Sequence, residues 1–199
     1  MHLEAVVYAY TRHYAVRPIS KREAAAFVVK HHYTHKASSC RYALGLYYTT
    51  PNDHKFFEGN VEILIGVMTY GHPVSNRTVA SITKEIKLEL DEVLELTRLV
   101  CLPDYGTNTE SWFIGQSFKW LKKYAPEVKV LVSYADAEQS HTGGIYRATN
   151  WMYQGCGVSK LMPDFSILLE EDGLWMHSRT VGSKFGNKSI DNLAKKIGK

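Results

Sequence analysis

The chain has 199 residues, 45% hydrophobic and 22% charged, with a formal net charge of +4 and a pI near 8.8. That composition is ordinary for one globular domain with a single good core, and the mild positive charge permits a nucleic-acid partner without demanding one. No run of 18 apolar residues exists, which excludes a spanning helix, and no charged segment leads into a long apolar run at the N-terminus, so no secretory leader is expected. The cysteines are Cys40, Cys101 and Cys156, odd in number and without a CxxC pair, so the expectation is no disulfide framework and a cytoplasmic setting.

In chain order, residues 5–10 and 14–17 read as short strands, with Pro18 closing the second. Ser20 and Glu23 have capping-box spacing and start a helix that runs to about residue 30, with Ala24, Phe27, Val28 and His31 on one face. A polar loop over 31–41 leads to a strand at 42–49, a turn at Pro51-Asn-Asp and a strand at 61–70. Residues 71–92 have no clear period, and part of them reads as helical. Near the C-terminus, strands at 165–171 and 174–180 flank Asp172-Gly173, a hairpin signal. The tail 183–199 carries five lysines against one aspartate.

The stretch 93–155 organises the rest. Residues 93–100 alternate as a strand that Pro103 closes, and a polar turn follows over 104–110. A helix is expected over 111–123, with Trp112, Phe113, Gln116, Trp120 and Lys123 at helical spacing and Pro126 as its stop. Residues 128–134 read as a strand buried on both faces, and 144–151 as a last helix. Strand, helix, strand predicts a crossover unit within one α/β mixed sheet and a single domain over 1–199. Arg98, Asn108, Ser111, Asp136, His141 and Tyr146 all fall where the strands end, the edge at which open sheets bind ligands.

Each of these side chains has a functional and a structural reading. The helix start near Ser111 offers free amides to a phosphate, or Asn108, Thr109 and Ser111 simply cap it; Glu110 would repel an anion. Arg98, if its strand is regular, shares a face with Leu94, Leu96 and Val100, where an unpaired charge is costly. It therefore either reaches into a site or pairs with Asp136. Asp136 suits a base, a metal ligand or a turn cap, and Tyr146 suits a proton donor or a packed ring. In HHYTHK, His31 and His35 have i, i+4 spacing, but no second cluster completes a zinc set. An open-sited iron held by histidine, tyrosine and carboxylate is one reading, and solvated histidines in a basic loop the other. Basic and aromatic residues interleave over 30–36 and at Arg41-Tyr42, a pattern suited to phosphate contacts and base stacking.

The pieces HHYTHK, ELTRL, NTESWFIG, SYAD and GGIYRATNWMYQG together resemble the phage Mom family, over residues 20–155. That family is related to the GNAT acyltransferase superfamily. The resemblance implies a GNAT-like sheet flanked by helices. It also implies an enzyme that places a methylcarbamoyl group on the 6-amino group of adenine in double-stranded DNA, which shields phage DNA from restriction. Arg98, Asp136, Tyr146, His32 and Tyr33 would then be catalytic, with Arg98, Asn108 and Ser111 holding a small-molecule donor. A tyrosine placed as Tyr146 is protonates a departing thiolate in many GNAT enzymes, and His32, Tyr33 and Asp136 would be the iron ligands. Acetyl-CoA or another CoA-type donor is in question, because YGTNTES has one glycine where that superfamily has a glycine-rich loop. Tyr33 and Trp151 would receive a flipped base. The alternatives are a GNAT acetyltransferase of a small amine or protein, and a non-catalytic DNA-binding protein on the same fold.

Overall fold

The alternating apolar segments pair into one mixed sheet in a computed structural model, which describes residues 13–51, 60–73, 79, 88–135, 143–155, 166–168 and 175–177. Its order is β1 (Tyr14–Pro18), β2 (Tyr42–Pro51), β3 (Asn60–Gly71), β4 (Val93–Cys101), β5 (Val130–Val132). The first four pair antiparallel, and β5 joins β4 in parallel through the crossover helix α2 (Thr109–Tyr124). Helix α1 (Lys21–His31) precedes β2, and a short α3 (Gly144–Ala148) follows β5. This is the mixed α/β class expected. The chain divides into two compact units, Met1–Met152 and Tyr153–Lys199. In the second, β6 (Ser166–Leu168) pairs antiparallel with β7 (Trp175–His177), the strands expected around Asp172-Gly173. The turn itself, the 5–10 strand, the turn at Pro51-Asn-Asp, most of 71–92, Asp136, His141 and the basic tail lie outside the described residues.

Each sheet face buries against one helix. Leu44, Leu46, Met68, Leu94 and Leu96 pack with Phe113, Ile114 and Leu121 of α2. On the other face Ala43 and Val67 pack with Ala24 and Val28 of α1. Leu44, Leu46, Phe113 and Ile114 have no exposed surface, and each such side chain contributes about 1.5–3 kcal/mol by leaving water. Among the described residues, no helix is long and apolar enough to cross a membrane.

Local chemistry explains the element ends. Ser20 has extended backbone and its Oγ accepts from the Glu23 amide at 3.1 Å, the Ser half of the expected capping box. Pro18 is the last residue of β1 rather than its stop, which an edge strand tolerates. α1 ends at His31 because His32 turns extended, with φ −84° and ψ 139°. Three expectations are corrected. β5 is three residues long and half-buried, an edge strand rather than one buried on both faces. α3 stops at Ala148, short of Trp151. And α2 turns Phe113, Ile114, Ser117 and Leu121 inward, leaving Lys123 exposed and Gln116 only half-buried. The rotation is possible because Ser117 is satisfied inside: its Oγ donates to the Ile114 carbonyl at 2.7 Å and shares a 2.7 Å hydrogen bond with Tyr70 Oη.

Candidate functional site

Arg98 does not share a face with Leu94 and Leu96. Thr69 pairs with Arg98 and Tyr70 with Leu96, so Thr97 is an extra residue without a partner across the ladder, a β-bulge. The bulge resets the alternation: Leu99 and Cys101 rejoin the α2 face, while Val100 packs toward α1. Thr97 Oγ1 donates toward the Ser39 carbonyl at 3.1 Å and the Thr69 carbonyl at 3.0 Å, and Arg98 turns the same way. Its Nε donates to the Lys36 carbonyl at 3.1 Å and its NH1 to the Thr97 carbonyl at 2.6 Å. Among the described residues Arg98 has no carboxylate partner, so the charge is held by carbonyl dipoles beside the HHYTHK loop.

That loop does not continue the helix. His35 has φ 48°, its amide donates to the His32 carbonyl at 2.8 Å, and its Nδ1 donates back to the Val29 carbonyl at 3.0 Å. His35 thus closes the end of α1, and the i, i+4 geometry expected with His31 does not form. His31 instead stacks on Phe27, 4.6 Å between ring centroids. His32 is buried and stacks on Tyr33 at 4.3 Å. The Thr34 amide donates to His32 Nδ1 at 3.1 Å, and an amide can only donate. The neutral ring therefore carries its hydrogen on Nε2, a tautomer with no lone pair left for an ion. His32 in this form does not fit a metal ligand, and among the described residues no group of three His, Cys, Asp or Glu side chains gathers.

At the C-terminal end of β4, the chain turns through Gly106, at φ 99°, into α2. Asn108 holds a left-handed conformation at φ 70° and its side chain caps nothing. Thr109 Oγ1 donates to the Tyr105 and Gly106 carbonyls, both at 3.0 Å, and Ser111 Oγ donates to the Asn108 carbonyl at 3.0 Å. The capping reading is therefore corrected, since these hydroxyls satisfy carbonyls and leave the first-turn amides for another acceptor. Burial pushes the Cys101 thiol well above its ordinary range, and Glu110 adds to the shift.

Tyr146 lies on the α2 face. Ser133 Oγ donates to Tyr146 Oη at 2.7 Å, just past the end of β5. The phenol accepts this bond, so its own hydrogen stays available. Burial raises its pKa above the ordinary phenol value, and the Ser133 bond opposes part of that rise. Burial also drives the Tyr70 phenol far up, and the Ser117 bond offsets part of it. Trp151 packs its ring 5.3 Å from Tyr146 and 5.8 Å from Phe118, and its buried Nε1 has no partner among the described residues. Its half-buried ring packs against Tyr146. Tyr33, 44% exposed, keeps a face toward solvent.

The structure thus brings together two groups. Arg98 joins the His32–Cys40 loop on the α1 face. Tyr146, Ser133, Trp151 and the Tyr70–Ser117 pair meet on the α2 face, and Asn108 and Ser111 mark the edge after β4. Sequence reasoning quoted Ser133 within SYAD but weighed only the aspartate. Ser117 and Ser38 carry no sequence signal, because neither Gln116-Ser-Phe nor Ala37-Ser-Ser forms a motif or a periodic pattern.

A family model described as the Mom protein family matches residues 13–199. One curated relative, "Methylcarbamoylase mom" of Escherichia phage Mu, is 27% identical over 122 residues, which is 60% of this chain and 46% of that protein. The chain therefore matches less than half the length of that relative.

Proposed function

The chain belongs to the Mom protein family, and on that premise we propose that it is a DNA-modifying transferase. It adds a small acyl-derived group of the methylcarbamoyl type to the exocyclic amine of adenine in double-stranded DNA. The name of the phage Mu relative supports the group and the reaction class. The observation that carries the chemistry is the Tyr146 phenol, which accepts from Ser133 and so keeps its own hydrogen to give.

The adenine amine is a poor nucleophile because its lone pair is conjugated with the ring. Attack on an activated donor makes it lose a proton while the leaving group gains one. Tyr146 supplies the second proton, since a neutral phenol held above its ordinary pKa stays protonated at neutral pH and still matches a thiolate leaving group. Asp136, which follows the Ser133-Tyr-Ala run in sequence, takes the first. The uncapped amides at the start of α2, beside Asn108 and Ser111, hold the donor's phosphates, which favours a CoA-type donor despite the single glycine. Glu110 limits that site to weak anion binding. The target base leaves the stack to reach Tyr146, and Tyr33 offers an exposed ring to receive it. An iron at His32, Tyr33 and Asp136 would need the other tautomer of His32, with the Nδ1 hydrogen given to Thr34 Oγ1 at 2.9 Å.

The test is to express the chain in a bacterium, digest the cellular DNA and weigh the nucleosides. A fraction of deoxyadenosine should carry a small group heavier than methyl, with deoxycytidine unchanged. An acetyl mass on adenine would leave the acyltransfer and remove the methylcarbamoyl group. Unmodified DNA from folded protein that binds duplex would overturn the enzyme reading and leave a binding platform.

A further inference from the structure

Between α1 and the end of the sheet lies a small cleft of about 20 Å³. Lys21, Ala24 and Val28 of α1, Ser38 and Cys40 of the loop, and Arg98 of β4 line it. A cleft of that size has room for roughly one oxygen atom with its hydrogens, so it takes the tip of a larger group and not the whole of it.

Hydrogen-bond accounting gives the sign of that group. Cys40 Sγ is turned to the Tyr42 carbonyl at 3.4 Å, and Thr69 Oγ1, also on the wall, is engaged with Thr97 Oγ1 at 2.9 Å. Two of the Arg98 N–H groups are used on the Lys36 and Thr97 carbonyls, and the rest of the guanidinium has no described partner. Ser38 Oγ is fully buried and has no partner among the described residues. An orphaned buried hydroxyl costs on the order of 1–3 kcal/mol unless something outside the protein satisfies it. Lys21 brings a second positive charge, and among the described residues no carboxylate lines the cleft. The unspent groups can therefore all donate, and two of them are cationic and can only donate.

We infer that Lys21, Ser38 and Arg98 form a site for one oxygen of a small oxyanion, a phosphate or carboxylate group, on the α1 face of the sheet. This rests on the proposed function and deepens it, because it gives Arg98 an anion to hold on the sheet face opposite α2. Two sources share the chemistry: a backbone phosphate of the DNA, or an anionic group on the small-molecule donor. Arg98 supplies the in-plane fork, Lys21 the charge at the mouth and Ser38 a hydroxyl donor at the back.

Inorganic phosphate is the probe, titrated into the full chain at fixed ionic strength with melting temperature and calorimetry as readouts. Phosphate should stabilise the protein where equal ionic strength of chloride does not. Ser38→Ala should fold as well as the parent, since it only deletes an unpaired hydroxyl, yet weaken phosphate about tenfold or more; Lys21→Met should do the same. No phosphate-specific stabilisation of the parent, or a full response in both variants, would mean that a water alone fills the cleft, and would overturn the site. Duplex binding then assigns the source. If the oxygen belongs to DNA, Lys21→Met lowers the slope of log K against log salt by about 0.9; if it belongs to the donor, the slope is unchanged and phosphate competes with the donor. The phosphate response needs no turnover, so an intact response with unmodified adenine removes the proposed function and keeps the site.

Discussion

Ser133 Oγ and Tyr146 Oη lie 2.7 Å apart, with the serine donating, and this direction leaves the Tyr146 hydrogen available for the proposed proton transfer. Tyr146→Phe keeps the ring's packing on Trp151 and removes the hydroxyl, both its hydrogen and the oxygen that accepts from Ser133. Turnover should fall about 10²–10⁴-fold with a near-native melting temperature. Ser133→Ala should cost less in rate. It removes the bond that lowers the Tyr146 pKa, so the alkaline limb of the pH–rate profile should move up. The sign follows from the protonated form being active: a raised pKa extends activity to higher pH. Native turnover in Tyr146→Phe would reduce the residue to packing.

The Tyr70–Ser117 bond, by contrast, is structural. Tyr70→Phe removes one buried hydrogen bond but leaves Ser117 Oγ bonded to the Ile114 carbonyl, so no orphan results. The expected loss is about 1 kcal/mol, or about 2–4 °C in melting temperature for a chain of this size, with modification activity retained. The folded-state pKa of Tyr70 is raised, so its contribution is present below the unfolded phenol pKa and is lost only as pH rises through the higher folded value. Melting curves at neutral pH for parent and variant decide it; an unchanged melting temperature would leave the bond without net worth.

The fold was readable where one period dominates. The alternation of β2, β3 and β4, the Ser20 cap and the crossover order all follow from residue type and spacing alone. The site was less readable because two of its features depend on partners far away in sequence and a third on a local backbone turn. The Thr97 bulge exists only against the register of β3, where Thr69 meets Arg98 and Tyr70 meets Leu96, and a strand read alone gives the opposite face. Ser117 looks like a surface residue until Tyr70 reaches it. His35 looks like a helical ligand until its φ of 48° folds it back onto Val29. Local pattern gives the elements, and cross-strand register gives the side on which chemistry falls.

Gly71 sits where the loop before β2 crosses the end of β3. A Cβ there would stand 2.5 Å from the Ser39 carbonyl oxygen, a contact with backbone that cannot rotate away. Gly71→Ala should therefore displace Ser39, and with it the carbonyl that Thr97 Oγ1 reaches. The expected cost is about 1–3 kcal/mol, with modification activity lost more steeply than stability because the loop also carries the Lys36 carbonyl that holds Arg98. Thermal melting and activity on the same preparation test this; full activity in Gly71→Ala would detach the loop from the site.

His32 offers a spectroscopic test of its tautomer. In chelator-treated protein labelled with ¹⁵N histidine, the ring should show its hydrogen on Nε2, because the Thr34 amide occupies Nδ1. Ferrous iron that binds this ring must move the hydrogen to Nδ1, where Thr34 Oγ1 can accept it. Thr34→Val keeps the amide and removes that acceptor, so any iron affinity should fall about 10–100-fold. A hydrogen on Nδ1 in the chelator-treated protein would overturn the assignment.

Arg98 separates charge from shape. Its guanidinium spans the Lys36 carbonyl and the Thr97 carbonyl with two different nitrogens, which leaves the remaining N–H groups aimed in a fixed plane. An ammonium is a point donor on a flexible stem and cannot hold both carbonyls while presenting a fork. Arg98→Ala should abolish modification activity, and Arg98→Lys should restore little of it although the charge returns. The two variants should melt within a few degrees of each other, since the lost bonds are to half-exposed carbonyls that water can satisfy. Phosphate titration, read beside activity, distinguishes the causes. If Arg98→Lys recovers phosphate binding but not activity, geometry is what the reaction needs at this position; if it recovers both, Arg98 contributes charge alone.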